Sequence, residues 1–187
     1  MKQAAAGLAQ MGIGVAVLTK TKFVNDRYPK MAVGYTIMSL KATSCSQGGV
    51  ALGWREEDLK FEVKLVLFQG PNMLTFQLTT GDEQIYIMET YIPPNCTRGV
   101  EDICRAAETC PAGCKLLVMG DLNINVGFPH EEREEVIVNL LDKLGLVDLL
   151  RGYWLRTPQR TATRARWTWS QKRGTTRHYL QPDYILA

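Results

Sequence analysis

Asp121 and Asn123 stand two residues apart in KLLVMGDLNIN (115–125), where four consecutive apolar residues are followed at once by Gly120 and then Asp121. An apolar run of that length reads as a buried strand. At such a strand's end, residues two apart point the same way, so Asp121 and Asn123 would present a carboxylate and an amide to one site at the sheet's edge. That pair can orient an attacking water. Asp and Asn also cap turns routinely, so the motif alone leaves both readings open. The chain has only two histidines, His130 and His178, and its five cysteines are Cys45, Cys96, Cys104, Cys110 and Cys114. Four of these fall between 96 and 114 at gaps that match no standard zinc spacing, and the odd count argues for free thiols over a disulfide framework.

The elements that must position Asp121 can be read from pattern. Residues 2–11 are Ala-rich and predict a helix, and GIGVAVLT (12–19) predicts a buried strand. Residues 20–34 read as irregular. Tyr35 to Met38 and GGVALGW (48–54) predict further strands. FEVKLVLF (61–68) alternates, with Phe61, Val63, Leu65 and Leu67 on one face, and the polar turns GPN and TGDE separate it from MLTFQL (73–78) and IYIMETY (85–91). Three strands with short polar turns make an antiparallel meander. A helix near 99–109, the strand 115–119, an amphipathic helix over 131–144 and a final strand in DYILA follow. In the 131–144 helix, Val136, Ile137, Leu140, Leu141 and Leu144 fit the helical period, EEREE complements the positive end of the dipole, and Gly145 supplies the stop. This order predicts one layered α/β domain with a largely antiparallel sheet.

Composition sets further bounds. At 187 residues and 45% apolar content the chain is long enough for one domain with a real core. No apolar run approaches a membrane span, and MKQAAAGLAQMG lacks a signal-peptide pattern, so an intracellular protein is expected. The net charge of +3 is unevenly placed, with eight Lys or Arg and no acid between Leu149 and Pro182. The remaining 14 basic and 19 acidic residues leave the rest of the chain net −5. Tyr153, Trp154, Trp167, Trp169 and Tyr179 are interleaved with those cations, a mixture suited to phosphate backbones and exposed bases. A solvated basic surface with one or two Trp in the core would have the same composition.

Six segments, VAVLTKTKF, QGGVAL, TYIPPN, KLLVMGDLNIN, RWTWSQKRG and PDYILA, occur in an order that resembles the endonuclease/exonuclease/phosphatase superfamily. This is the DNase I-like fold, and the resemblance is nearest to the endonuclease domains of non-LTR retrotransposons. It implies a DNase I-like layered α/β sandwich spanning residues 1–187, truncated at both ends. The family's first strand would precede residue 1, and its Ser-Asp-His segment would follow Ala187. The resemblance gives Asp121 the role of orienting or deprotonating the attacking water and gives Asn123 a phosphate contact. Tyr91 and Asn95 would steady the scissile phosphate, and Asp183 would support the catalytic histidine or the metal site. Trp167 and Trp169 would border the DNA face.

One departure bears directly on activity. Active members carry a metal-binding Glu where TKTKF has Lys20. An ammonium has donors only and cannot ligate Mg²⁺ or Mn²⁺, which leaves Asp121 as a weak metal candidate. Glu89, two residues before Tyr91, would share that strand's face and could lend a carboxylate. The resemblance therefore implies an ancestral Mg²⁺-dependent DNA phosphodiester hydrolase that is impaired here. Three alternatives follow: a working endonuclease; a catalytically dead relic that binds nucleic acid through Arg164, Arg166, Lys172, Arg173 and the neighbouring Trp residues; and a decayed mobile-element fragment. DNA is the expected partner, with no membrane, a nuclear setting, and a reverse transcriptase domain in a longer polyprotein as a further expectation.

Overall fold

The computed structural model describes residues 2–23, 30–42, 48–55, 57, 62–70, 72–94, 96–124, 132–147, 169–173, 176–180 and 183–186. In chain order the elements are α1 (Lys2–Gln10), β1 (Val15–Thr19), β2 (Lys30–Ala32), β3 (Tyr35–Ser39), β4 (Val50–Arg55), β5 (Glu62–Gly70), β6 (Met73–Thr80) and β7 (Glu83–Tyr91). They continue with α2 (Thr97–Ala107), β8 (Lys115–Asp121), α3 (Glu132–Leu144), β9 (Trp169–Arg173), β10 (Thr176–Leu180) and β11 (Asp183–Leu186). No described helix is long and apolar enough to cross a membrane.

Two sheets face each other. One has the order β1-β4-β3-β2 and the other β11-β8-β7-β6-β5, while β9 and β10 form a separate hairpin. The expected meander is β5-β6-β7, antiparallel throughout. Among the described strands only β7 and β8 pair in parallel, and α2 supplies the crossover that a parallel pair requires. Burial separates the layers by strand parity. Leu74, Phe76, Leu78, Ile87 and Tyr91 point from one sheet toward Val50 and Leu52 of the other. Tyr86, Met88 and Val118 point the opposite way, onto Val100 and Ile103 of α2 and Ile137, Leu140 and Leu141 of α3. On the far side, Ala5 of α1 packs with Tyr35, Ile37 and Ala51. The result is a helix, sheet, sheet, helix sandwich, the layered α/β architecture expected from the sequence.

Three details differ from expectation. The alternation assumed for 61–68 is broken by a register shift between Leu65 and Leu67, where a bulge puts an extra residue into one strand. In α3 only Ile137, Leu140 and Leu141 of the five apolar positions are buried. Val136 flanks the stripe at 39% exposure and Leu144 sits in the last turn at 37%. The stretch 20–34 is not wholly irregular, because β2 pairs with β3 around Val33 and Gly34, both at positive φ (51° and 77°) as a tight hairpin turn demands.

Candidate functional site

Asp121 ends β8, with β7 on one side and β11 on the other, so the site lies at the end of an internal strand rather than on an edge strand. The parallel register sets Tyr91, the last residue of β7, beside Asp121. It continues one step further, since the Ile92 N–H donates to the Asp121 carbonyl at 2.9 Å. Gly120 makes this approach possible. Its φ is 141°, and a Cβ there would stand 1.9 Å from the Thr90 carbonyl oxygen, so no larger residue fits the backbone as it runs.

Asn123 does not continue the strand. Its backbone turns left-handed (φ 46°), which overturns the expectation that Asp121 and Asn123 point together as strand neighbours. The turn gives the pair a different geometry. The Asn123 N–H donates to Asp121 Oδ1 at 3.2 Å, and its Nδ2 donates to the Ile92 carbonyl at 2.9 Å. Asn123 therefore caps the end of β8 and pins it to the end of β7, while its N–H holds the carboxylate in place.

The other carboxylate oxygen of Asp121 is taken by Lys20. The chain after β1 is held by the Thr21 and Lys22 N–H groups donating to Gly49 and Gly48 carbonyls, both at 3.1 Å. Lys20 itself is left-handed (φ 55°). From there its ammonium forms an ion pair with Asp121 Oδ2 and lies 5.3 Å from the centre of the Tyr91 ring, within cation–π range. Asp121 is 2% exposed and the Lys20 side chain 47%, so the acid is enclosed behind a cation that solvent reaches. Burial raises the Tyr91 phenol above its ordinary pKa; Lys20 lowers it and Asp121 raises it further.

Glu89 does not lend a carboxylate to this arrangement. It shares the Tyr91 face of β7, as expected, but is wholly buried between the sheets, where Oε1 accepts the Ala51 N–H at 3.0 Å. Its Oε2 finds no hydrogen-bond partner among the described residues. Burial pushes its carboxyl well above the usual range, opposed by the backbone N–H groups of Ala51 and Leu18. Its place is a joint between the sheets, turned to Ala51 rather than to the Asp121 site.

Asp183 begins β11 and is paired in register with Asp121, so the backbone brings two sequence-predicted acids opposite each other. Trp169, Lys172 and Arg173 lie on β9, paired with Leu180, Arg177 and Thr176 of β10. Asn95, Arg164, Arg166 and Trp167 fall outside the described residues. Cys96, Cys104, Cys110 and Cys114 are free thiols, with burial pushing Cys104 and Cys110 above the ordinary range. Among the described residues no group of three or more His, Cys, Asp or Glu is placed to hold a metal ion. The donor set at Asp121 does not fit a divalent cation, because one carboxylate oxygen is already bound to an ammonium. Sequence reasoning counts Lys20 only as an absent ligand and misses it as the partner of Asp121.

This arrangement of two facing, mostly antiparallel sheets flanked by helices is the DNase I-like α/β fold. No family model and no curated protein sequence matches the chain. Among solved structures it is similar to the endonuclease domain of TRAS1, a telomere-specific non-LTR retrotransposon, with a TM-score of 0.68 at 17% identity over 99% of this chain and 78% of that one. An AP endonuclease from Archaeoglobus fulgidus gives 0.65 at 17% identity over 97% and 79%. The D. rerio TDP2 complexed with single-strand DNA product gives 0.61 at 17% over 98% and 74%. Identities this low establish the fold and leave the chemistry to the residues present.

Proposed function

We propose that the chain is a retrotransposon-type, endonuclease-like domain that engages DNA at the Asp121 end of β8 and is impaired in phosphodiester hydrolysis. The observation that carries this reading is the Lys20–Asp121 ion pair beneath Tyr91. An acid that would orient or deprotonate water is bound to an ammonium, and the ammonium stands where the resemblance calls for a metal-binding carboxylate. The fold neighbours support the nucleic-acid half of the proposal, since they include a retrotransposon endonuclease domain and a protein crystallised with single-strand DNA product. The basic hairpin supports it too. Leu180 ends β10 and Asp183 begins β11 opposite Asp121, and three residues span at most about 11 Å, so the cationic hairpin must start close to the site.

Supercoiled-plasmid nicking in Mg²⁺ and in Mn²⁺, run beside a gel-shift assay, tests the proposal. The expected result is salt-sensitive retention of DNA with no nicking in either metal. Nicking by the unaltered chain that disappears in Asp121→Ala would show that hydrolysis survives and would overturn the impaired reading.

A further inference from the structure

Asp121 is nearly enclosed, and both of its carboxylate oxygens are engaged, Oδ1 by the Asn123 N–H and Oδ2 by the Lys20 ammonium. Lys20 is positioned by backbone as well as by charge. The residues after it are tied to Gly48 and Gly49, and Gly49 approaches so closely that a Cβ there would fall 2.4 Å from Thr21 Oγ1. The acid two residues before Tyr91 on the same strand face, Glu89, is turned to the Ala51 N–H between the sheets.

We infer that Lys20 is a resident cation: it holds the charge of a metal ion against Asp121, excludes divalent cations from that carboxylate, and gives the site a metal-independent means of meeting a phosphate oxygen. The chemistry follows from the two kinds of cation. A divalent ion needs several oxygen lone pairs in its coordination shell, whereas an ammonium brings a positive charge and three donors and no lone pair. A second cation approaching Asp121 would find one carboxylate oxygen already held by the Lys20 ammonium and the other by the Asn123 N–H, and would meet repulsion from Lys20 across a few ångströms. An anion arriving from solvent meets the half-exposed Lys20 side chain before the enclosed Asp121, with the Tyr91 ring beside the ammonium. The anion-binding part of this inference rests on the DNA reading above; the exclusion of metal does not.

Mn²⁺ binding, read from loss of the free-ion EPR signal without DNA, tests the exclusion. The unaltered chain is expected to leave the signal unchanged, and Lys20→Glu, which replaces the ammonium with a second carboxylate, to bind Mn²⁺ at least about tenfold more tightly. Circular dichroism checks folding, and if Lys20→Glu does not fold, Lys20→Gln carries the test with a smaller gain in the same direction. Mn²⁺ uptake by the unaltered chain that disappears in Asp121→Asn, or no gain in a folded variant, overturns the inference. Anisotropy with a duplex oligonucleotide in EDTA and in Mg²⁺ forms the second arm, with equal affinity expected in both buffers and weaker binding for Lys20→Gln in both. DNA binding that appears only with Mg²⁺ would overturn the inference and leave the DNA reading standing. Absence of DNA binding in either buffer, with Mn²⁺ still refused, would defeat the DNA reading and uphold the exclusion.

Discussion

Asp121 and Glu89 are buried carboxyl groups on neighbouring strands, and the protein treats them in opposite ways. An enclosed carboxylate costs several kcal/mol unless it is paired or protonated. Asp121 is paired, by Lys20 and the Asn123 N–H. Glu89 accepts the Ala51 N–H at 3.0 Å, has an oxygen without a hydrogen-bond partner among the described residues, and has a pKa that burial raises well above the ordinary carboxyl range against the opposing Ala51 and Leu18 N–H groups. The sign of the pH effect follows. Above the ordinary carboxyl range the folded chain keeps a proton that the unfolded chain has released, so stability contributed by Glu89 falls as pH rises from that range toward the raised folded value. Glu89→Gln keeps an acceptor for Ala51 and removes the titration. Its urea midpoint is therefore expected to change less than that of the unaltered chain between about pH 5 and pH 8, a window that opens just above the ordinary carboxyl value and runs toward the raised one. Parallel midpoint shifts in the two proteins would show that Glu89 is not the titrating group.

The β7–β8 pair is the element on which the site depends, because one parallel register places Tyr91, Asp121 and the Ile92–Asp121 hydrogen bond together. Gly120→Ala would force a methyl into the Thr90 carbonyl, where only 1.9 Å separates the two positions. The expected loss is at least about 1–3 kcal/mol, a fall in Tm of several degrees measured by calorimetry, because a backbone oxygen cannot swing aside as a side chain would. Gly7→Ala is the control: α1 leaves that Cβ open space, and a helical alanine is expected to gain up to about 1 kcal/mol. Elements of this kind are legible in the sequence where pattern and punctuation agree. The meander announces itself through alternation bounded by GPN and TGDE, and α3 through its apolar stripe and Gly145. β2 is too short for a period to show, and β9 and β10 lie in a basic run whose composition hides alternation. Asp121 is legible as a strand-end acid, but the left-handed turn at Asn123 and the partnership with Lys20 are not. The first is a single-residue backbone choice, and the second joins segments far apart in the chain that meet only when the two sheets face each other.

At the scale of the whole molecule the charge asymmetry becomes an arrangement. Eight cations and no acid lie between Leu149 and Pro182, in a chain whose remainder is net negative. Part of that run is the β9–β10 hairpin, where Lys172 pairs in register with Arg177, and the hairpin leads directly into β11 opposite Asp121. DNA binding through this run would release counterions in proportion to the phosphates neutralised. Arg173→Gln and Lys172→Gln are each expected to weaken duplex binding similarly across sequences and to reduce the slope of log K against log salt by about 0.9 for each phosphate no longer neutralised, measured by anisotropy over a salt series. Lys20→Gln is expected to act differently, because its ammonium is already paired with Asp121 and adds little to long-range attraction. Its effect should appear as a drop in affinity with a smaller change in slope. If all three variants lower the slope equally, Lys20 is one more surface cation. If only the hairpin variants do, attraction comes from the basic run and the local contact from the ion pair at the end of β8.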